Sequence, residues 1–255
     1  MLDIEIIPLL KDNYCYFITD PVSKMNALID PSTADEVLVF LQEKNLKLDF
    51  ILNTHHHWDH VDGNLKIKEY TGAKIVGNIK DQDRIPGIDI LVRENEIWYL
   101  GEQSCKILNL SGHTIGHIGY LFEGVVFTGD AVFSCGCGRL FEGNAEMMLS
   151  TFNRILSLPD ECLMYCGHEY TYSNIIFCLS IDPSNLLLKD ALIRTQEFLY
   201  KRLPSVPSSI GFERKANVFL RYKEDEIIKR ILPESYHIAS DSDVIAEMRR
   251  LKDVF

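Results

Sequence analysis

THHHWDH, residues 54–60, places four histidines and one aspartate directly after the apolar run Phe50-Ile51-Leu52. The run lies inside the chain, where a strand ending at Asn53 would deliver it. In a roughly extended chain, side chains two apart share a side, so the spacing predicts that His55, His57 and Asp59 converge. His56 and Trp58 then point away, and His60 joins as the turn begins. Imidazole and carboxylate are donors that a divalent transition metal accepts, and the run lacks the thiolates that close a structural zinc site. A polar loop with hydrogen-bonding histidines explains one such residue better than it explains this spacing.

Three further segments place donors behind expected strands. SGHTIGH (111–117) carries His113 and His117, TGD (128–130) ends a hairpin at Asp130, and CGHEY (166–170) presents His168. In an α/β domain the loops at strand ends gather at one edge, where sites are usually built. His55, His57, Asp59, His60, His113, Asp130 and His168 exceed what one metal uses. The count points to two metals sharing an aspartate.

The rest of the chain limits what such a site could serve. A length of 255 residues with 46% hydrophobic content suits one large domain or two smaller ones. With 26 Lys+Arg against 37 Asp+Glu, the net charge of −11 disfavours nucleic acid or an anionic membrane as a partner. An anionic ligand must therefore meet basic residues placed locally. Asp3 and Glu5 stand where a secretory signal would be positive, and no window reaches the roughly 18 apolar residues of a membrane span. Seven cysteines, an odd number without CxxC spacing, fit free thiols in a reducing compartment. The expectation is a soluble cytoplasmic protein.

Strands are predicted at Ile4–Ile7, Cys15–Thr19, Ala27–Ile29, Phe50–Asn53, Lys74–Val76, Glu96–Leu100, Lys106–Leu110, Gly119–Phe122 and Val125–Thr128. Helices are predicted at Thr33–Lys44, opened by a Thr33/Glu36 capping box, and at Asn144–Leu156, capped by Asn144. Beyond residue 168 the pattern turns helical, over Ser184–Arg202 and Asp241–Asp253, with a break at PSVPSS (204–209). This is an α/β fold with mixed sheets covered by helices, a boundary near 168 and a mainly helical tail. Cys162, Met164 and Cys166 alternate along an expected strand and read as core.

Together, THxHxDH, SGHTxGH, TGDxxFxxGCGRxFEG and GHEYT resemble the metallo-β-lactamase superfamily and, within it, glyoxalase II, the hydroxyacylglutathione hydrolases. The resemblance runs from Asp12-Asn13-Tyr14 to Met248–Asp253. It implies an αββα four-layer sandwich over 1–168 followed by a mainly α-helical, glutathione-binding domain over 169–255. It also implies a partition of donors: His55, His57 and His113 on one metal, Asp59, His60 and His168 on the other, and Asp130 bridging. Asp59 and Asp130 are the catalytic carboxylates in this reading. His56 is not a ligand, His117 makes a hydrogen bond that supports a ligand or lies in the core, and isolated His237 lies at the surface.

The implied reaction is hydrolysis of an S-(2-hydroxyacyl)glutathione, typified by S-D-lactoylglutathione, to glutathione and a 2-hydroxy acid such as D-lactate. This is the second step of methylglyoxal detoxification. A hydroxide held between two cations would attack the thioester carbonyl. Two divalent ions are expected, zinc first, with iron or manganese also suited to the donors. Arg139, Phe141 (Tyr in some relatives), Tyr170, Arg249 and Lys252 match substrate-contacting positions. Arg249 and Lys252, three apart, share a helix face and could meet one carboxylate together.

Val218 replaces the usual Pro of an Asn-Pro-Phe-Leu-Arg segment, and neither Cys135 nor Cys137 is assigned a catalytic role. The competing readings are a glutathione persulfide dioxygenase with one iron, and a non-catalytic metal- or thiol-binding regulator. A monomer is expected. Arg249→Ala is expected to raise the Michaelis constant for glutathione thioesters much more than it lowers turnover.

Overall fold

The computed structural model describes residues 2–255. The chain forms two compact units, Met1–Asn109 with Gly116–Gly129, and Leu110–Ile115 with Asp130–Phe255. This division differs from a single cut near 168, because each unit takes in chain from both sides of a short exchanged segment.

In the first unit, strands β1 (Asp3–Leu9), β2 (Asn13–Thr19), β3 (Asn26–Ile29), β4 (Phe50–Leu52), β5 (Lys74–Asn78) and β6 (Ile90–Val92) form one sheet in chain order. β1, β2 and β3 pair antiparallel, with Leu9 opposite Asn13, whereas β3 through β6 run parallel. Helix α1 (Asp35–Glu43) occupies the β3–β4 crossover, and α2 (Trp58–Val61) and α3 (Asn64–Thr71) occupy that from β4 to β5. Strands β7 (Ile97–Leu100), β8 (Gln103–Asn109), β9 (Ile118–Phe122) and β10 (Val125–Gly129) form an antiparallel ladder.

β2 is buried along Asn13–Ile18 because both of its faces are covered. Its alternate residues separate the layers. Cys15 and Phe17, with Leu28, Ile51 and Ile75, pack against Val37, Leu38 and Leu41 of α1 and Ile67 of α3. Tyr16, on the other face, meets Phe127 of β10 at 5.4 Å, and Phe50 meets Trp98 of β7 edge-on at 5.0 Å. The unit is thus a helix layer, a mixed sheet and an antiparallel sheet. Each large apolar side chain so buried contributes roughly 1.5–3 kcal/mol.

The second unit holds the hairpin β11 (Val132–Phe133) and β12 (Gly136–Cys137), then α4 (Ala145–Leu156), β13 (Leu163–Cys166), α5 (Thr171–Ile181), α6 (Leu186–Tyr200), β14 (Ser208–Ser209), α7 (Ile210–Ala216), α8 (Asp225–Ile231) and α9 (Asp241–Val254). Asn144 caps α4 by accepting from the Met147 amide, as expected, and a Ser240/Asp243 capping box opens α9.

The Thr33/Glu36 box does not form. α1 begins after Ala34, and the Thr33 hydroxyl donates to the Glu36 carboxylate at 2.5 Å, so neither side chain caps the helix. Helices α2, α3, α5, α7 and α8 fall outside the helical ranges read from the sequence, and for two of them the reason is plain. α3 buries only Asn64 and Ile67, too little for a clear apolar stripe. α5 has six buried positions spread around its axis, which hides its period. His237 is exposed, as expected, and Cys162, Met164 and Cys166 are buried. Among the described residues no helix is long and apolar enough to cross a membrane.

Candidate metal centre

The donors of the first unit sit at one edge of the mixed sheet. Asp30 follows β3, Asn53 to His60 follow β4, and Asp81 lies just beyond β5, so three adjacent parallel strands present their carboxyl ends together. Asn13 opens β2, whose antiparallel run brings it to the same edge. The two-residue alternation holds only as far as His57. That residue caps α2, so Asp59 and His60 are placed by a helical turn rather than by extended chain.

Asp30, not singled out from the sequence, organises this edge. It is 2% exposed and left-handed at φ 52°. Its Oδ1 accepts from the Thr54 amide at 2.8 Å, and its Oδ2 accepts from the Thr54 hydroxyl at 2.6 Å and faces His60 Nδ1 at 3.1 Å. These bonds set the histidine protons. The Thr54 hydroxyl spends its single proton on Asp30, so at 3.0 Å it accepts from His55 Nδ1. His60 Nδ1 donates to the carboxylate. Both rings therefore carry their lone pair on Nε2, the arrangement in which an acceptor behind a histidine orients it toward a metal.

His55 Nε2 lies 3.1 Å from His57 Nδ1. Two nitrogens on one tetrahedral zinc, each bonded at about 2.0–2.1 Å, stand roughly 3.3 Å apart, so the pair fits a single ion. His60 Nε2 is 3.8 Å from Asp59 Oδ2. Asn13 Nδ2 holds Asp59 through both its backbone oxygen, at 2.9 Å, and its carboxylate, at 3.2 Å. Asp30, His55 and His60 also offer ligand atoms within 4.8 Å of one another. Both Asp30 oxygens are already engaged by Thr54 and His60.

His56 turns away, as expected, toward buried Asp81 (Nδ1 to Oδ2 3.5 Å) and Arg84 (Nε2 to Nη1 3.3 Å). Arg84 also pairs with Asp81. Burial alone would raise the Asp81 pKa, but hydrogen bonds from His56 and Arg84 hold it below the usual value. His117 stacks on His55 at 4.7 Å and 18°.

In the second unit, one carboxylate oxygen faces two imidazoles. Asp130 Oδ2 is 3.7 Å from His113 Nε2 and 3.3 Å from His168 Nε2. His113 Nδ1 donates to the Arg139 carbonyl at 2.8 Å, which again leaves the lone pair on Nε2. Position 138 must be glycine, since a Cβ there would collide with the Asp130 carbonyl and crowd His113 Nδ1. Tyr170 stacks on His168 at 4.7 Å and 3°, and the Phe141 ring stands edge-on to His113 at 5.2 Å. Chemistry and geometry of both donor sets fit divalent metal.

Side chains from elsewhere in this unit grip the backbone of the β11–β12 hairpin. Asn217 donates to the carbonyls of Phe133 (3.4 Å) and Gly136 (3.1 Å), Asn174 to that of Ser134 (3.1 Å), and Arg249 to that of Cys137 (2.8 Å). Fully buried Glu213 accepts from the amide of Cys135, which is left-handed at φ 55°. Burial lifts the Glu213 pKa although four hydrogen bonds oppose it. Burial likewise pushes the Cys137 thiol up to about 11 despite Arg249, and Cys135 well above its ordinary value, so both thiols stay protonated at neutral pH.

Of the five positions expected to contact substrate, the Arg139 side chain is 64% exposed and that of Arg249 only 8%. Lys252 donates to the Ser173 carbonyl at 3.1 Å and lies over the Phe177 and Phe255 rings. Burial, then the charge of Arg249, pulls its pKa down. Because Arg249 braces Cys137, Arg249→Ala should lower the melting temperature as well as raise KM. Calorimetry beside steady-state kinetics checks both.

Comparison with known proteins agrees with this geometry. The profile described as "Metallo-beta-lactamase superfamily" matches residues 10–168, and that described as "Hydroxyacylglutathione hydrolase C-terminus" matches 169–255. The chain is 45% identical over 232 residues to a hydroxyacylglutathione hydrolase of Pelagibacter ubique, covering 90% of this chain and 97% of that one. It is 42% identical to that of Methylococcus capsulatus over 258 residues, covering 100% and 99%. The crystal structure of ETHE1 from Myxococcus xanthus superposes with a TM-score of 0.68 at 25% identity, over 99% of both chains. The chain therefore belongs to the metallo-β-lactamase superfamily and, within it, to the hydroxyacylglutathione hydrolase family.

Proposed function

We propose that the protein hydrolyses S-(2-hydroxyacyl)glutathione, typically S-D-lactoylglutathione, to glutathione and a 2-hydroxy acid, the second step of methylglyoxal detoxification. His55, His57 and His113 would hold one divalent ion, Asp59, His60 and His168 would hold the second, and Asp130 would serve both. The observation that carries this reading is the single oxygen, Asp130 Oδ2, facing the Nε2 atoms of two histidines. The matches to hydroxyacylglutathione hydrolases over 90–100% of the chain support the substrate class.

Ions so held lower the pKa of water from 15.7 toward about 7 and polarise a carbonyl oxygen, which is what thioester hydrolysis needs. The chain's own residues supply orientation. Asp30 and the Arg139 carbonyl fix the imidazoles, Asn13 fixes Asp59, and Tyr170, Phe141, Arg139, Arg249 and Lys252 receive the glutathione moiety. A thiolate leaving group has a parent pKa near 8.5 and departs without a dedicated acid.

We read the ions as zinc, with iron and manganese as the other outcomes of metal analysis. The protein acts as a cytoplasmic monomer, with residues 1–168 carrying the metal site and 169–255 binding glutathione. The deciding experiment is hydrolysis of S-D-lactoylglutathione alongside metal determination and a chelated control. Chelator-sensitive hydrolysis with about two ions per chain is expected from a two-metal site. No hydrolysis by fully metallated protein would refute the proposal.

A further inference from the structure

The cationic cluster assigned to glutathione already contains a carboxylate. Asp253 Oδ1 lies 3.1 Å from Arg249 Nε, 3.0 Å from Arg249 Nη2 and 3.6 Å from Arg139 Nε. It thereby joins two arginines from different elements, one on α9 and one beyond β12. Helix stability gives no reason for an acid there. Asp253 stands in the last turn of α9, where the helix dipole disfavours negative charge. Arg before Asp is also the weaker order of an i,i+4 pair.

The other donors in the cluster are engaged as well. Arg249 Nη1 is held by the Cys137 carbonyl at 2.8 Å, and Lys252 Nζ by the Ser173 carbonyl at 3.1 Å. An incoming carboxylate finds the Nε–Nη2 edge of Arg249 taken, and only Arg139 is largely open to solvent.

We propose that Asp253 is a built-in counter-ion, occupying on Arg139 and Arg249 the place that a carboxylate of the glutathione thioester takes, so that substrate binds by exchanging one carboxylate for another. The inference rests on the glutathione-thioester reading. Asp253 keeps the two guanidinium groups close while the site is empty of substrate. It also weakens their pull on anions, so binding is limited and product carboxylate leaves readily.

Asp253→Asn retains an acceptor oxygen for both arginines and removes the charge. Expected, with S-D-lactoylglutathione at ~20 mM salt, is a KM lowered about three- to tenfold, the change falling in KM rather than kcat. At ~1 M salt, where the screening length is ~3 Å, the gain shrinks to less than about twofold. Asp253→Glu, which keeps the charge, should leave KM within about twofold, and adding Arg139→Met to Asp253→Asn should erase most of the gain. An unchanged or raised KM in Asp253→Asn at low salt, or failure of that variant to fold, overturns the proposal and makes Asp253 a structural brace. If wild-type protein does not hydrolyse the thioester, the functional reading itself falls and this inference falls with it, an outcome distinct from the others.

Discussion

Asp130→Asn is expected to lower kcat/KM for the glutathione thioester by about a thousandfold or more, equivalent to roughly 4 kcal/mol of transition-state stabilisation. The substitution keeps the shape of the side chain. It replaces a charged oxygen, which faces His113 Nε2 and His168 Nε2, with a neutral amide that cannot hold two cations near each other. Removing one polarising group from an enclosed site typically costs about 10²–10³ in rate. In the proposed arrangement Asp130 would serve both ions, so the loss belongs at or above the upper end. Metal analysis should find about one ion per chain or fewer. An Asp130→Asn protein with both metals and more than about a tenth of wild-type kcat would remove Asp130 from the bridging role.

The second large effect belongs to a residue that touches no metal in the proposed arrangement. Asp30→Ala strips the acceptor from the Thr54 amide, from the Thr54 hydroxyl and from His60 Nδ1, all at a buried position. Breaking a buried charged network by removing one partner costs about 3–5 kcal/mol. Taken at its lower end, this corresponds to a melting temperature lower by about 6–12 °C for a chain of this size. His55 and His60 lose the proton placement that points Nε2 outward, so metal affinity should fall about 10–100-fold, the usual effect of losing an orienting partner. Competition with a chelating dye measures the affinity independently of turnover. A variant that loses stability but binds metal as wild type does would reduce Asp30 to a structural residue.

How much of this was legible in the sequence depended on whether a residue's neighbours along the chain announced it. THHHWDH, SGHTIGH, TGD and GHEY each follow a strand, and a donor of each appears a few residues beyond it, Asp59 and His60 standing farther on in α2. Asp30 follows an equally plain strand, yet one carboxylate after Ala27–Ile29 looks like any strand-ending acid. Its importance comes from Thr54, 24 positions away. Asn13 was visible inside Asp12-Asn13-Tyr14, but not its bonds to Asp59, 46 positions on. The extended-chain rule brought His55 and His57 together and then failed at Asp59, because α2 starts at Trp58 and changes the period from two to 3.6. Local chemistry was readable, and orientation by distant partners was not.

The grip on the β11–β12 hairpin has a consequence for anyone transplanting this loop. Asn174, Glu213, Asn217 and Arg249 hold main-chain atoms, so what they recognise is chiefly a path rather than a sequence. Among the loop's side chains, Ser134 adds a hydroxyl bond to Glu213 at 3.1 Å, Cys135 is exchangeable within its volume and left-handed backbone, and Gly136 is fixed, because a Cβ there would strike Asn174. A graft of residues 130–139 onto another scaffold would carry the lettering without the clamps, and the aspartate at its head would have nothing to hold it in aim.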